Sequence, residues 1–133
     1  MRFLLDTNLI IFALKNPEGI AASRIRSTFW DEILVCSIVE AELFHGATKY
    51  GAPERRRELL RAFLAPFQSV PFDSRCVPQY AEIRNYLEQR GTMIGANDLL
   101  IASIAVTYDF VLVTSNTSEF ERVPDLAVVD WTK

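Results

Sequence analysis

The stretch Phe3-Leu4-Leu5-Asp6-Thr7-Asn8-Leu9-Ile10-Ile11-Phe12-Ala13-Leu14 changes its periodicity at a single carboxylate. Before Asp6 the run is continuously apolar, as in a strand buried on both faces. After it, Leu9, Ile10, Phe12, Ala13 and Leu14 recur at helical spacing until Asn16-Pro17 stops the pattern. The opening unit is therefore strand, turn, helix, with Asp6 leaving the strand and Thr7 or Asn8 placed to cap the helix.

The same unit recurs along the chain. Glu18 to Trp30 reads as an amphipathic helix, with Ile20, Ala21, Ile25 and Phe29 on one side and Arg24 and Arg26 between them, and it leads into a buried strand at Ile33 to Cys36. Ser37 is placed to cap the next helix, and Glu40, three residues on, to complete a capping box. After Gly51-Ala52-Pro53 a proline-started helix is expected to about Ala65. It puts Leu59, Leu60, Phe63 and Leu64 toward one side, Arg55, Arg57 and Arg61 toward another, and ends at Pro66. Ser69 to Phe72 is a weaker strand, Asp73 to Arg90 a helix closed by Gly91, and Asn97-Asp98 opens a nearly all-apolar, hence central, helix through Val106. Phe110 to Val113 and Leu126 to Val129 supply the last strands. Strands alternating with helices imply one domain over residues 1–133: a three-layer α/β/α sandwich around a mostly parallel sheet of about five strands. Such sheets hold ligands at the carboxyl ends of their strands, near a topological switch point.

Bulk properties narrow the class. At 133 residues and 50% hydrophobic, the chain can bury a full core. Its longest apolar stretch, Leu99 to Val106, falls far short of the roughly 20 residues of a membrane span, and Asp6 interrupts the start too early for a secretory signal. A soluble, cytoplasmic protein is expected. Cys36 and Cys76 show no metal or disulfide spacing and read as reduced, buried thiols. The net charge of −3 argues against a nucleic-acid partner at first sight. Leaving out four acids singled out below, however, turns 17 acidic against 14 basic side chains into a slight basic excess.

Those four are Asp6, Glu42, Asp98 and Glu119, each bordering an apolar run. Each has a structural reading as well: Asp6 as a helix cap, Glu42 as a solvated side chain, Asp98 as a dipole partner in the first turn of its helix, Glu119 as a loop residue. Glu40 is absorbed by the capping box, whereas Glu42 has no such task amid apolar neighbours. Around Glu119, Thr114 and Asn116 add oxygen donors. His45 shares a helix face with Glu42 but is left out of the site. Four converging carboxylates would repel one another unless a hard cation joins them. Mg²⁺ or Mn²⁺ suits oxygen-only donors, and the chemistry such a site performs naturally is attack on a phosphodiester. The Arg55-Arg56-Arg57 run, with Arg61, can track phosphates or simply be solvated.

Taken together, Leu5-Asp6-Thr7-Asn8, Glu42-Leu43 with Gly46, Ile94-Gly95 with Asp98 and Ile101-Ala102, Thr114 with Asn116 and Glu119-Phe120, and Asp130-Trp131 resemble the PIN-domain ribonucleases, more narrowly the VapC-type toxins of bacterial toxin-antitoxin pairs. The resemblance implies a PIN-like fold and Mg²⁺-dependent endonucleolytic cleavage of RNA, often structured RNA such as tRNA. It also implies inhibition by a cognate antitoxin, and a homodimer. Asp6, Glu42 and Asp98 match the family's acidic positions; the fourth is often Asp, and here Glu119 fills it with Asn116 nearby. On this reading Asp6 and Asp98 hold the metal, Glu119 completes its shell directly or through water, Glu42 positions or deprotonates the attacking water, and Thr114 and Asn116 support them.

Three other readings compete. A phosphoryl-switch signalling domain wants an acidic pair after the first strand and a lysine after the last, where this chain has Asp6-Thr7-Asn8 and Val129-Asp130-Trp131. A haloacid-dehalogenase-type phosphatase wants a second Asp where Asn8 stands. A catalytically silent PIN-like protein that only binds RNA or a partner fits the same residues, and metal-dependent cleavage separates it from the enzyme.

Overall fold

The computed structural model describes residues 1–49 and 51–133. Five strands, β1 (Phe3–Leu5), β2 (Ile33–Cys36), β3 (Gln68–Val70), β4 (Val111–Val113) and β5 (Val128–Val129), form one sheet in the order β3-β2-β1-β4-β5. Every pairing is parallel, so the sheet is wholly rather than mostly parallel. Parallel neighbours need crossovers, and the helices supply them: α1 (Thr7–Lys15) and α2 (Ile20–Ser27), α3 (Ser37–Thr48) and α4 (Pro53–Leu64), α5 (Val77–Arg90) and α6 (Ala96–Tyr108). A short α7 (Thr117–Phe120) follows β4. All four residues of β2 are buried, as a strand covered on both faces requires. Leu4, Leu5, Leu34, Leu112 and the α6 residues Ile101, Ala102, Ile104 and Ala105 are fully inaccessible. The central placement of α6 expected from its composition is thus found. Among the described residues, no helix is long and apolar enough to cross a membrane.

Local structure departs from the sequence reading at several boundaries. The helix expected over Glu18 to Trp30 ends at Ser27, where Thr28 turns extended (φ −92°, ψ 137°), and Trp30–Glu32 form a separate 3₁₀ turn. β3 and β5 are shorter than, or shifted from, the expected strands. The capping box does not form. β2 runs directly into α3 with Cys36 at the cap, Ser37 makes no capping bond, and Glu40 instead accepts from the Ser69 hydroxyl on β3. At α1 the cap is Asp6 itself, not Thr7 or Asn8. A 3₁₀ turn, Ser74–Cys76, capped by Asp73, precedes α5, which closes at Gly91 with φ 63°, the left-handed conformation glycine adopts freely. On α4, Leu60 and Leu64 are buried and Phe63 is partly so, but Leu59 is 57% exposed. Cys36 and Cys76 are free and buried, and burial pushes the Cys36 thiol up to about 11, leaving it unreactive.

Candidate active site

The strand order reverses between β1 and β4, since β1 leads by α1 and α2 toward β2 on one side while β4 leads to β5 on the other. This is the switch point of the sheet, and the residues leaving these two strands are Asp6 and Thr114. Backbone bonds fix both exits: Asp6 N–H donates to Val113 O at 3.0 Å, and Thr114 N–H to Val129 O at 3.0 Å. Asp6 is 3% and Thr114 0% exposed. Asp6 Oδ1 accepts from Thr7 N–H at 2.8 Å, and Oδ2 from the Thr114 hydroxyl, also at 2.8 Å. The capping and site readings of Asp6 are therefore both realised, one at each oxygen.

The other three acids arrive from three helices. Glu42, in α3, accepts from the Thr7 hydroxyl at Oε1 (2.7 Å) and from Asn97 Nδ2 at Oε2 (3.4 Å). Glu119, in α7, accepts from Gly95 N–H at Oε1 (2.9 Å) and from the Asn116 side-chain amide at Oε2. Asn116 N–H in turn donates to Thr114 Oγ1 at 3.0 Å, so the loop after β4 is tied to the Asp6 carboxylate through one hydroxyl. Asp98 stands in the first turn of α6, which starts after Gly95 with its dipole favouring a charge there.

Two of the four acids, Asp98 and Asp6, are shifted by burial and by the charges of the others. Burial pushes the Asp98 carboxyl up, and the charges of Glu119, Asp6 and Glu42 add to it, bringing it to about 7. Burial likewise raises Asp6, opposed by the donors Thr114 and Thr7 and reinforced by Glu42 and Glu119. As the side chains stand, no three His, Cys, Asp or Glu groups among the described residues close around one point. That does not disfavour Mg²⁺ or Mn²⁺, because Mg²⁺ is commonly held by one or two carboxylates and keeps several waters. The donor set is all oxygen, and a carboxyl raised by burial first and by three like charges after it is a group that a cation would relieve. The donor chemistry therefore suits a hard dication held by one or two of these carboxylates and water.

Two contributors were not singled out for their roles in the sequence. Thr7 joins Asp6 to Glu42, and Gly95 both donates to Glu119 and leaves room for Asp98, whose Oδ2 would lie 3.3 Å from a Cβ placed there. Neither contact has a local signature, since the partners are 35 and 24 residues away. The arginines of α4 are largely engaged in local contacts. Arg57 pairs with Glu54, Arg56 Nε donates to Gly51 O at 3.0 Å, and the Arg61 guanidinium lies 5.9 Å from the Phe44 ring centre on α3, while Arg55 is exposed. His45 is exposed on α3. A surface hollow of about 580 Å³ lies among other residues, lined by Ile25, Phe29, Trp30, Phe63 and Phe67 with their neighbours.

The chain is similar in sequence and fold to known proteins. A family profile described as PIN domain matches residues 3–126. Ribonuclease VapC2 of Rickettsia felis is 38% identical over the whole of both chains. The tRNA(fMet)-specific endonuclease VapC of Salmonella typhimurium is 36% identical over 98% of each. The crystal structure of DNA-bound VapBC from Salmonella typhimurium superposes with a TM-score of 0.92 at 34% identity, covering 98% of each chain. With its fold, its full-length matches and its acids gathered at the switch point, the chain belongs to the PIN-domain family, among the VapC ribonucleases.

Proposed function

We propose that this chain is a metal-dependent endoribonuclease toxin that hydrolyses phosphodiester bonds in structured RNA, with Asp6, Glu42, Asp98 and Glu119 as its catalytic residues and a cognate antitoxin as its inhibitor. The observation that carries the reading is the gathering of four acids at the carboxyl end of the sheet, Asp6 after β1, Glu42 in α3, Asp98 in α6 and Glu119 in α7, where burial and then the other three charges raise Asp98 to about 7. The similar Salmonella protein is named for cleavage of tRNA(fMet), which supports a folded RNA as substrate. VapBC structures among the similar proteins support a protein inhibitor, and Phe29 and Trp30, 59% and 58% exposed, offer apolar surface of the kind protein partners cover.

Asp6, Asp98 and Glu119 would hold Mg²⁺ or Mn²⁺, which when bound neutralises charge on the phosphate and acidifies a water. Asp6 is kept in place for this by Thr7 and Thr114, and Glu119 by Gly95 and Asn116. Glu42 is the general base. Its Oε1 holds the Thr7 hydroxyl at 2.7 Å and its Oε2 only the longer Asn97 contact at 3.4 Å, so the proton of the attacking water is assigned to Oε2. The water oxygen bonds to phosphorus as the bond to the 3′ oxygen breaks and that oxygen takes up a proton from solvent water, leaving 5′-phosphate and 3′-hydroxyl ends. The exposed Arg55, with Arg56, Arg57 and Arg61, lies on α4 beside α3 and is assigned to the RNA backbone.

The test is incubation of the purified chain with a tRNA pool, with Mg²⁺ or with a chelator, followed by sequencing of the ends. Metal-dependent cuts with 5′-phosphate are expected. Chelator-resistant cutting, or 2′,3′-cyclic phosphate at the ends, would refute this chemistry, and an intact pool would favour a silent binding protein.

A further inference from the structure

Thr7 is the first residue of α1, where a threonine ordinarily bonds its own backbone. Here its hydroxyl reaches another helix, donating to Glu42 Oε1 at 2.7 Å, while its N–H donates to Asp6 Oδ1 at 2.8 Å. Thr7 is 8% exposed and its bond to Glu42 partly buried, which limits replacement by water, and β-branching restricts the side chain to few rotamers. The second donor to Glu42, Asn97 Nδ2, stands at 3.4 Å and is exposed. One carboxylate oxygen is therefore firmly held and the other left freer.

We propose that Thr7 is the positioning residue for Glu42: its buried hydroxyl fixes one carboxylate oxygen so that the other faces the attacking water. This rests on the nuclease reading above and assigns Thr7 a part in it that is separate from capping. The same residue ties the exit of β1 to α3, so the orientations of Asp6 and Glu42 are set together.

Two substitutions separate the hydroxyl from the shape. Thr7→Val keeps the branched outline and deletes the donor; Thr7→Ser keeps the donor. With RNA substrate and Mg²⁺, Thr7→Val should lower kcat by about 10- to 100-fold at unchanged KM, while Thr7→Ser stays within about threefold of the parent. Wild-type kcat in Thr7→Val, or equal impairment in both variants, would overturn the proposal. A second measurement is independent of activity: thermal unfolding without divalent metal of the parent, Thr7→Val, Glu42→Ala and the double variant, since alanine removes the acceptor that glutamine would keep. If the hydroxyl acts through Glu42, the two shifts in Tm are non-additive; simple addition overturns it. A parent protein that folds but cuts no RNA sinks the nuclease reading instead, and the unfolding cycle then decides the Thr7–Glu42 link by itself.

Discussion

Thr114 donates its fully buried hydroxyl to Asp6 Oδ2 at 2.8 Å, across the one seam of the sheet where neighbouring strands lead away in opposite directions. Without that donor a buried carboxylate oxygen stands unsatisfied. Thr114→Val should therefore cost about 1–3 kcal/mol of stability, read from urea unfolding, with most of it restored in Thr114→Ser. Unchanged stability in the valine variant would show that the bond contributes nothing.

Asp98 is the acid most strained by its neighbours. Replacing it by Asn should abolish cleavage, yet in metal-free buffer near pH 8 the variant should melt above the parent, because one of four mutually repelling charges is gone. Full activity in Asp98→Asn would remove it from the catalytic set.

The same shift sets a pH dependence. Asp98 titrates near 7 in the folded chain against an ordinary 3.8, so the folded state holds an extra proton between those values. Its contribution to metal-free stability is complete below about pH 4 and is lost as pH rises through 7; the raised Asp6 acts in the same sense. A bound dication favours the ionised acids. The rise in Tm on adding Mn²⁺ should consequently be larger at pH 8 than at pH 6, and an equal rise at both would contradict the assignment of these acids as ligands.

Gly95 has ordinary backbone angles, φ −57° and ψ 150°, so Gly95→Ala strains nothing locally. Its new methyl would instead meet Asp98 Oδ2 at 3.3 Å and Glu119 Oε1 at 3.9 Å. An activity loss of about tenfold with little change in unfolding midpoint is expected, since displaced catalytic groups cost rate before they cost stability. Parent-like kinetics would show that the two carboxylates accommodate the methyl.

If the α4 arginines track phosphates, Arg55→Ala combined with Arg61→Ala should raise KM and leave kcat alone, and should flatten the dependence of binding on salt. An unchanged salt dependence would return these residues to the solvated surface.

The strands and the acids were legible because burial on both faces leaves continuous apolar runs, and because each acid interrupts or borders one. What the sequence hid depends on partners remote in the chain. Ser37 and Glu40 have the spacing of a capping box, but Glu40 bonds Ser69, which β3 brings alongside β2. Glu18 to Trp30 has the right apolar spacing for a longer helix, yet the chain turns extended at Thr28 and Phe29 and Trp30 face solvent. Thr7 and Gly95 carry no periodic signal at all; their value lies in contacts to Glu42 and Glu119 that only the folded sheet creates.

β1 gains its second neighbour, β4, only after α6, and α7 comes later still. A chain emerging from the ribosome can therefore pair β3, β2 and β1 and pack the helices between them while still lacking Thr114, Asn116 and Glu119. Assembly order thus sets a sequence of completion: the cluster around Asp6 gains Thr114, Asn116 and Glu119 only once the segment from Val111 onward has threaded in beside the first strand.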